Sequence, residues 1–194
     1  MQSKFFAFMA RMKFVNRWSL MRNTTTENIA EHSLNVSMIA HCLAVIENKF
    51  FAGNYNEYKI GMIGAYHETS EVITGDLPTP IKYFSKEMKE SYKSVEKIAN
   101  DTLLATLPPE LVADFDTLIN ASEEEYKLVK YADKLTAYIK CIEETACGNS
   151  EFKQAGKSIL AELQAFKSKS VDYFLQVFIP AYSLTLDELG GRIL

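Results

Sequence analysis

Ser122-Glu123-Glu124-Glu125 opens the stretch that most restricts what this chain can fold into. A hydroxyl three residues ahead of a glutamate is the capping-box pattern, and the acids suit the positive end of a helix dipole. The helix it predicts runs to about Cys147, where Gly148-Asn149 supplies a stop. Leu128, Ala132, Leu135, Tyr138, Ile139 and Ile142 mark its core-facing stripe. No segment of the chain shows the sustained period-two alternation of a half-buried strand.

Other segments repeat the helical pattern. Residues 2–14 place Phe5, Phe6, Phe8, Met9, Met12 and Phe14 at spacings that fit one packed helix. Thr24…Glu27 and Asn28…Glu31 both have capping-box spacing, so the start of the next helix is open by this criterion. That helix carries Leu34, Met38, Ile39, Cys42, Val45 and Ile46. Asn56 is placed to cap a helix through Tyr66, and residues 86–106 form another with Tyr92, Val95, Ile98, Leu103 and Leu104 as buried candidates. Pro109 heads a short helix, Ser150 caps one to about Lys167, and Val171–Tyr182 is the last, followed by a tail that frays or docks. The expectation is an all-α single domain over residues 1–194, a bundle of about seven to nine helices.

Composition narrows the function. An apolar fraction of 47% and a net charge of −4 describe a soluble globular protein, with no field to attract a nucleic-acid polymer or an anionic membrane. Phosphate binding here has to come from local arginines, lysines or a metal. No uninterrupted apolar run approaches the ~18 residues of a membrane span. Arg11 and Lys13 break the aromatic N-terminus, so no secretory signal is expected. Cys42, Cys141 and Cys147 form no C-x-x-C pair, which fits reduced thiols in a cytoplasmic protein.

The chemistry concentrates between residues 67 and 80, where His67-Glu68 is followed by Glu71 and by Asp76 in a turn bounded by Gly75 and Pro78. A helix continuing for one turn past residue 67 would stack His67 on Glu71. Histidines 32 and 41 share one helix; nine steps of roughly 100° set them on opposite sides, so at most one joins a common ion. His32, at the helix entrance beside a polar loop, is the better candidate. Arg17-Trp18 reads either as a packed corner or as a phosphate-and-ring site, guanidinium for phosphate oxygens and indole as a flat wall. Asp133 lies roughly 120° from the middle of its helix's apolar stripe, so periodicity does not single it out.

Taken together, Asn16-Arg17-Trp18, Glu27-Asn28-Ile29-Ala30-Glu31-His32-Ser33, His67-Glu68-Thr69-Ser70-Glu71-Val72, Thr74-Gly75-Asp76-Leu77-Pro78-Thr79-Pro80 and Lys130-Tyr131-Ala132-Asp133-Lys134 carry a resemblance to the HD-domain phosphohydrolases. Within them the chain is similar to the bacterial 5′-deoxynucleotidases, over nearly its whole length. The resemblance implies an HD-type helical bundle that hydrolyses deoxyribonucleoside 5′-monophosphates with a divalent transition metal of the Co, Mn, Zn or Ni class, and a homodimer. It implies metal ligation by His32, His67, Glu68 and Asp133, and catalysis by Glu71, Asp76 and Arg17. Substrate contacts are implied for Arg17, Trp18, His32, Asp76, Leu77, Pro78, Thr79 and Asp133. The family's doublet is His-Asp, whereas this chain has His67-Glu68, with a side chain one methylene longer. That departure motivates an alternative: a nucleotide-binding or sensing protein with weak or no catalysis.

Overall fold

The computed structural model describes residues 2–82 and 84–191. Among them the chain forms eleven α-helical segments and two 3₁₀ turns, and seven of the helices have nine residues or more. Those seven are α2 (Ile29–Phe50), α3 (Glu57–Tyr66), α6 (Lys86–Leu104), α7 (Pro109–Ile119), α8 (Glu123–Ala146), α9 (Phe152–Ala165) and α10 (Lys169–Val177). The short ones are α1 (Phe5–Met9), α4 (Glu71–Thr74), α5 (Thr79–Lys82) and α11 (Leu186–Gly190). The described residues contain no strand; one isolated antiparallel bridge pairs Asn16 with Asn28.

Local chemistry sets the boundaries. Asn28 caps α2 by accepting from the Ala30 and Glu31 N–H groups, which settles the start that two capping patterns left open. Asn56 caps α3 through the Lys59 N–H, and Ser122 caps α8 through that of Glu125. The single helix expected over residues 2–14 is instead α1 and a 3₁₀ turn at Met12–Phe14, because Phe5 and Met12 are buried while Phe6 and Phe14 stay exposed. Ser150 does not cap α9; Glu151 holds that position without a side-chain cap bond. On α6, Tyr92, Leu103 and Leu104 are buried, but Val95 and Ile98 face solvent, since that helix packs along one side only.

Most of the core lies between α2, α3, α8, α9 and α10, around Val36, Leu43, Ile60, Ile63, Leu135, Phe152 and Leu163. A second cluster joins Phe5, Leu103, Leu104, Leu107 and Ile119, with Tyr66 and Val72 against it. It backs the segment after α3. Helices α2 and α3 approach unusually closely: a Cβ added at Gly64 would fall 2.8 Å from the Ser37 Cα. By length and composition α2 is apolar enough to cross a membrane, a point that counting uninterrupted runs does not reveal. Half of that apolar stretch is buried inside the bundle.

Candidate metal centre and nucleotide pocket

Three helices and two loops bring the charged residues to one place. His32 sits in the first turn of α2 and is completely buried. His67 is the C-cap of α3, and the close α2–α3 contact sets its ring 5.3 Å from that of His32. The helix does not run on past His67 as the stacking of His67 on Glu71 required. It breaks into a turn over residues 67–70, held by the Thr69 N–H on the Tyr66 carbonyl, and Glu71 begins α4. Asp133 projects from the middle of α8. One ligand atom from each of His32, His67, Glu68 and Asp133 lies within 4.8 Å of the others.

His32 Nε2 is 3.0 Å from Asp133 Oδ1, and His67 Nε2 is 3.2 Å from Glu68 Oε1. Neither nitrogen has an aligned hydrogen bond, although both are buried. Close to carboxylates yet without an aligned hydrogen bond, both nitrogens are left able to serve a further partner. The other nitrogen of His67 lies 2.7 Å from the Gly64 carbonyl. A proton on Nδ1 leaves the Nε2 lone pair free, the usual outer-shell arrangement of a ligating histidine. Two imidazoles and two carboxylates at this spacing fit a divalent metal.

Glu27 joins this centre to the loop of residues 16–28, a role its capping-box spacing concealed. Its carboxylate accepts from Trp18 Nε1 at 2.9 Å, lies 3.4 Å from Arg17 Nε, and stands 3.6 Å from His32 Nδ1. Arg17 also reaches Glu68 at 3.4 Å and Asp133 at 3.8 Å. Trp18 adopts a left-handed backbone, φ +58°, and its ring lies 5.3 Å from that of Phe152. It is thus both a packed corner and a wall.

Burial opposes ionisation throughout, and the partners decide the outcome. For Asp133 the cost of burial is outweighed by His32 and Arg17, which hold its carboxyl down at about 2. Glu68 is likewise held well below the usual range, by His67 and Arg17 against its burial. Glu71 goes the other way. It is buried, the Glu68 charge adds to that burial, and its carboxyl is pushed up to about 10. Asp76 is also raised by burial, with Arg17 opposing.

A cavity of about 360 Å³ opens from Arg17 and Asp133, walled by Trp18, Asp76, Pro78, Thr79 and, from α9, Ile159. That volume is ordinary for a small-molecule site. Gly75, at φ +73°, ends α4 and swings Asp76 toward this wall. Leu77 and His32, expected to face substrate, are not part of the wall. His32 is completely buried, and Leu77 lies in the non-helical segment between the lining residues Asp76 and Pro78. His41 packs instead against Tyr58, 5.8 Å away. A larger groove of about 650 Å³, lined by Met38, Cys42, Phe174 and Tyr182, meets the centre only at Glu27 and contains none of the four converging residues.

Comparison with known proteins shows the family and the fold. The family model for "5′-deoxynucleotidase YfbR-like" proteins matches residues 4–182. The 5′-deoxynucleotidase YfbR of Escherichia coli O1:K1 is 51% identical over 192 residues, covering 97% of this chain and 96% of that protein. Among solved structures, an HD-domain phosphohydrolase from Listeria innocua superposes with a TM-score of 0.80 at 23% identity, covering 92% of this chain and 88% of the other. The cyanophage S-2L HD phosphohydrolase DatZ, solved with dA and one catalytic Zn²⁺ ion, superposes with a TM-score of 0.64 at 19% identity, covering 90% and 95%. The chain folds as an HD-domain bundle and belongs to the YfbR-like 5′-deoxynucleotidase family.

Proposed function

We propose that the protein hydrolyses deoxyribonucleoside 5′-monophosphates to the deoxynucleoside and phosphate. The observation that carries this reading is the convergence of His32, His67, Glu68 and Asp133 on one point beside the Arg17–Trp18 cavity, which Asp133 lines. Those four residues would hold a divalent transition metal, and mixed imidazole and carboxylate donors suit Mn, Co, Zn or Ni. When bound, such an ion acidifies a water and neutralises phosphoryl oxygens.

The remaining work belongs to the chain's own side chains. Arg17 is the cation in reach of both carboxylate ligands, and its fork supplies fixed donors to the phosphate. Glu71 is a buried carboxyl next to Glu68 and is assigned the proton for the departing 5′-oxygen. Asp76, in the cavity wall, orients or deprotonates the attacking water. Trp18, braced by Phe152 and Glu27, is the flat wall against the sugar and leaves little room for a 2′-hydroxyl. Pro78 and Thr79 complete the pocket.

The 51% identity to a named 5′-deoxynucleotidase favours catalysis over the nucleotide-sensing alternative raised by Glu68. A cytoplasmic homodimer belongs to the same reading; Leu34, Met38 and Met62 stand exposed on α2 and α3, and sedimentation of the purified protein checks the dimer. The activity is tested by phosphate release from a panel of deoxy- and ribonucleoside monophosphates against Mn, Co, Zn and Ni. Release confined to deoxynucleotides and abolished by chelation is expected. Absence of release with every metal overturns the proposal.

A further inference from the structure

The Glu144 carboxylate, near the C-terminal end of α8, is 1% exposed and lies outside the ligand cluster. Its oxygens accept from the Thr24 N–H at 2.9 Å, the Thr24 hydroxyl at 2.7 Å, the Thr25 N–H at 3.2 Å and Asn149 Nδ2 at 2.8 Å. Lys140, one turn earlier on α8, donates to Glu144 at 2.5 Å and to the Thr25 carbonyl at 2.5 Å. Asn149 Nδ2 also donates to the Arg22 carbonyl at 2.7 Å. Nearly everything this buried pair binds is therefore main chain or hydroxyl of a single loop.

That loop, residues 16–28, has neither helix nor strand of its own. Its ends are closed by the Asn16–Asn28 bridge, with the Arg17 N–H on the Glu27 carbonyl at 2.9 Å. Between those ends, the Thr24–Thr25 attachment ties it to α8. Arg17, Trp18 and Glu27 all ride on it. A buried ion pair is a weak way to add stability, because apolar residues of similar volume do as well or better. It does offer what apolar residues lack, a set of hydrogen-bond partners that hold main-chain groups in one register. Lys140 Nζ also lies 5.8 Å from the centre of the Phe152 ring, and Phe152 is the platform under Trp18.

We propose that Lys140 and Glu144 are positioning residues for the nucleotide pocket. By holding Thr24–Thr25 and bracing Phe152 they fix where Arg17 and Trp18 stand over the ligand cluster, and so set the preference for deoxyribose over ribose. The selectivity part rests on the deoxynucleotidase reading above. Asp133 lies on the same helix, eleven residues or about 16 Å from Glu144, so one rigid rod references both a metal ligand and the loop facing it.

The test is the double variant Lys140→Met/Glu144→Leu, which removes both charges and leaves no buried charge unpaired. Trp18 is the only tryptophan in the chain, so its emission and its quenching by acrylamide report the loop directly. A cooperatively melting double variant is expected to show red-shifted, more readily quenched Trp18 emission with native zinc stoichiometry by mass spectrometry. Its kcat/KM on deoxyadenosine monophosphate should fall roughly 10- to 100-fold, with a raised KM and a narrowed margin over adenosine monophosphate. Native quenching together with a native deoxy-to-ribo ratio in a folded double variant overturns the proposal. If that variant does not fold, Thr24→Val, which removes only the hydroxyl donor, is expected to move quenching and selectivity in the same directions. Native values for both in that variant overturn it equally. A wild-type protein that releases no phosphate defeats the functional reading instead, while Trp18 quenching still decides whether the pair holds the loop.

Discussion

Replacing Gly64 by alanine tests whether the metal centre depends on how closely two helices approach. The new Cβ would fall 2.8 Å from the Ser37 Cα, 3.0 Å from the Ser37 nitrogen and 3.2 Å from the Val36 carbonyl carbon. All three are backbone atoms of α2, so no side chain can swing aside. Carbon pairs sit comfortably at about 3.5–4.0 Å, which obliges α3 to retreat by about 0.7 Å or more. Overpacking costs about 1–3 kcal/mol, and a clash with backbone belongs at the upper end. Alanine's better helix propensity returns about 1 kcal/mol, leaving a net loss of about 2 kcal/mol. For a chain of this size that lowers Tm by about 4–8 °C. The larger effect is on the centre, since the Gly64 carbonyl holds His67 Nδ1 and its retreat carries His67 away from His32. Metal–ligand distances tolerate only about ±0.2 Å, so a displacement several times larger should weaken zinc binding by about 10- to 100-fold. Gly61→Ala is the control, because its nearest contacts are His41 Cβ at 3.2 Å and the Ser37 carbonyl oxygen at 3.5 Å. Thermal melts and calorimetric zinc titrations of the three proteins provide the comparison. If Gly64→Ala melts at the native temperature and binds zinc with native affinity, the close approach does not position the ligands.

Three further outcomes are expected. Glu27→Gln should weaken zinc binding by about 10- to 100-fold and shift Trp18 emission, because one carboxylate serves His32 and Trp18 together; unchanged affinity and emission would count against that link. Glu71 keeps its proton up to about pH 10 when folded but releases it near 4.5 when unfolded, so the metal-free protein loses stability as pH rises above about 4.5. Glu71→Gln removes that loss, and urea melts should show it stabilised relative to the native protein more at pH 8 than at pH 4; an equal difference at both contradicts the assignment. Glu68→Asp shortens the carboxylate by roughly 1 Å against a metal tolerance of about ±0.2 Å, so metal affinity and turnover should both fall. A gain of turnover in that variant would instead revive the sensing alternative.

Much of the bundle was legible because helix boundaries are written in short local chemistry. The Asn56 and Ser122 caps and the Pro109 start predict elements found as α3, α8 and α7. Histidine spacing on α2 separates His32 from His41 by elementary geometry, and the two do face different neighbours. What escaped depends on partners distant in sequence. Val95 and Ile98 follow the apolar pattern of α6, but among the described residues none buries that side and both are exposed. Glu27 sits at capping-box distance from Thr24, so its local explanation hid contacts to Trp18 and His32. Lys140 and Glu144 are an ordinary i, i+4 helix pair by spacing, and only the folded loop turns them into a buried anchor.

The unlike origins of the site's parts also explain why Asp133 was invisible to periodicity. A residue on a core stripe is placed by packing, and a solvated one by nothing. Asp133 is intermediate, its side chain 36% exposed and lining the cavity while its oxygen meets His32. Side chains in that position are held by opposite charge and not by apolar burial, so their signal is the charge of remote segments. Arg17 is that charge here. It lies within 3.8 Å of carboxylates on two separate elements, and any change that moves its loop alters both contacts at once. On the proposed reading, α2, α8 and the end of α3 with the turn after it would hold a metal, and one anchored loop supplying the guanidinium and indole would read the nucleotide. Substitutions in α3 should therefore act first on metal affinity, and substitutions in the loop anchor first on substrate selectivity.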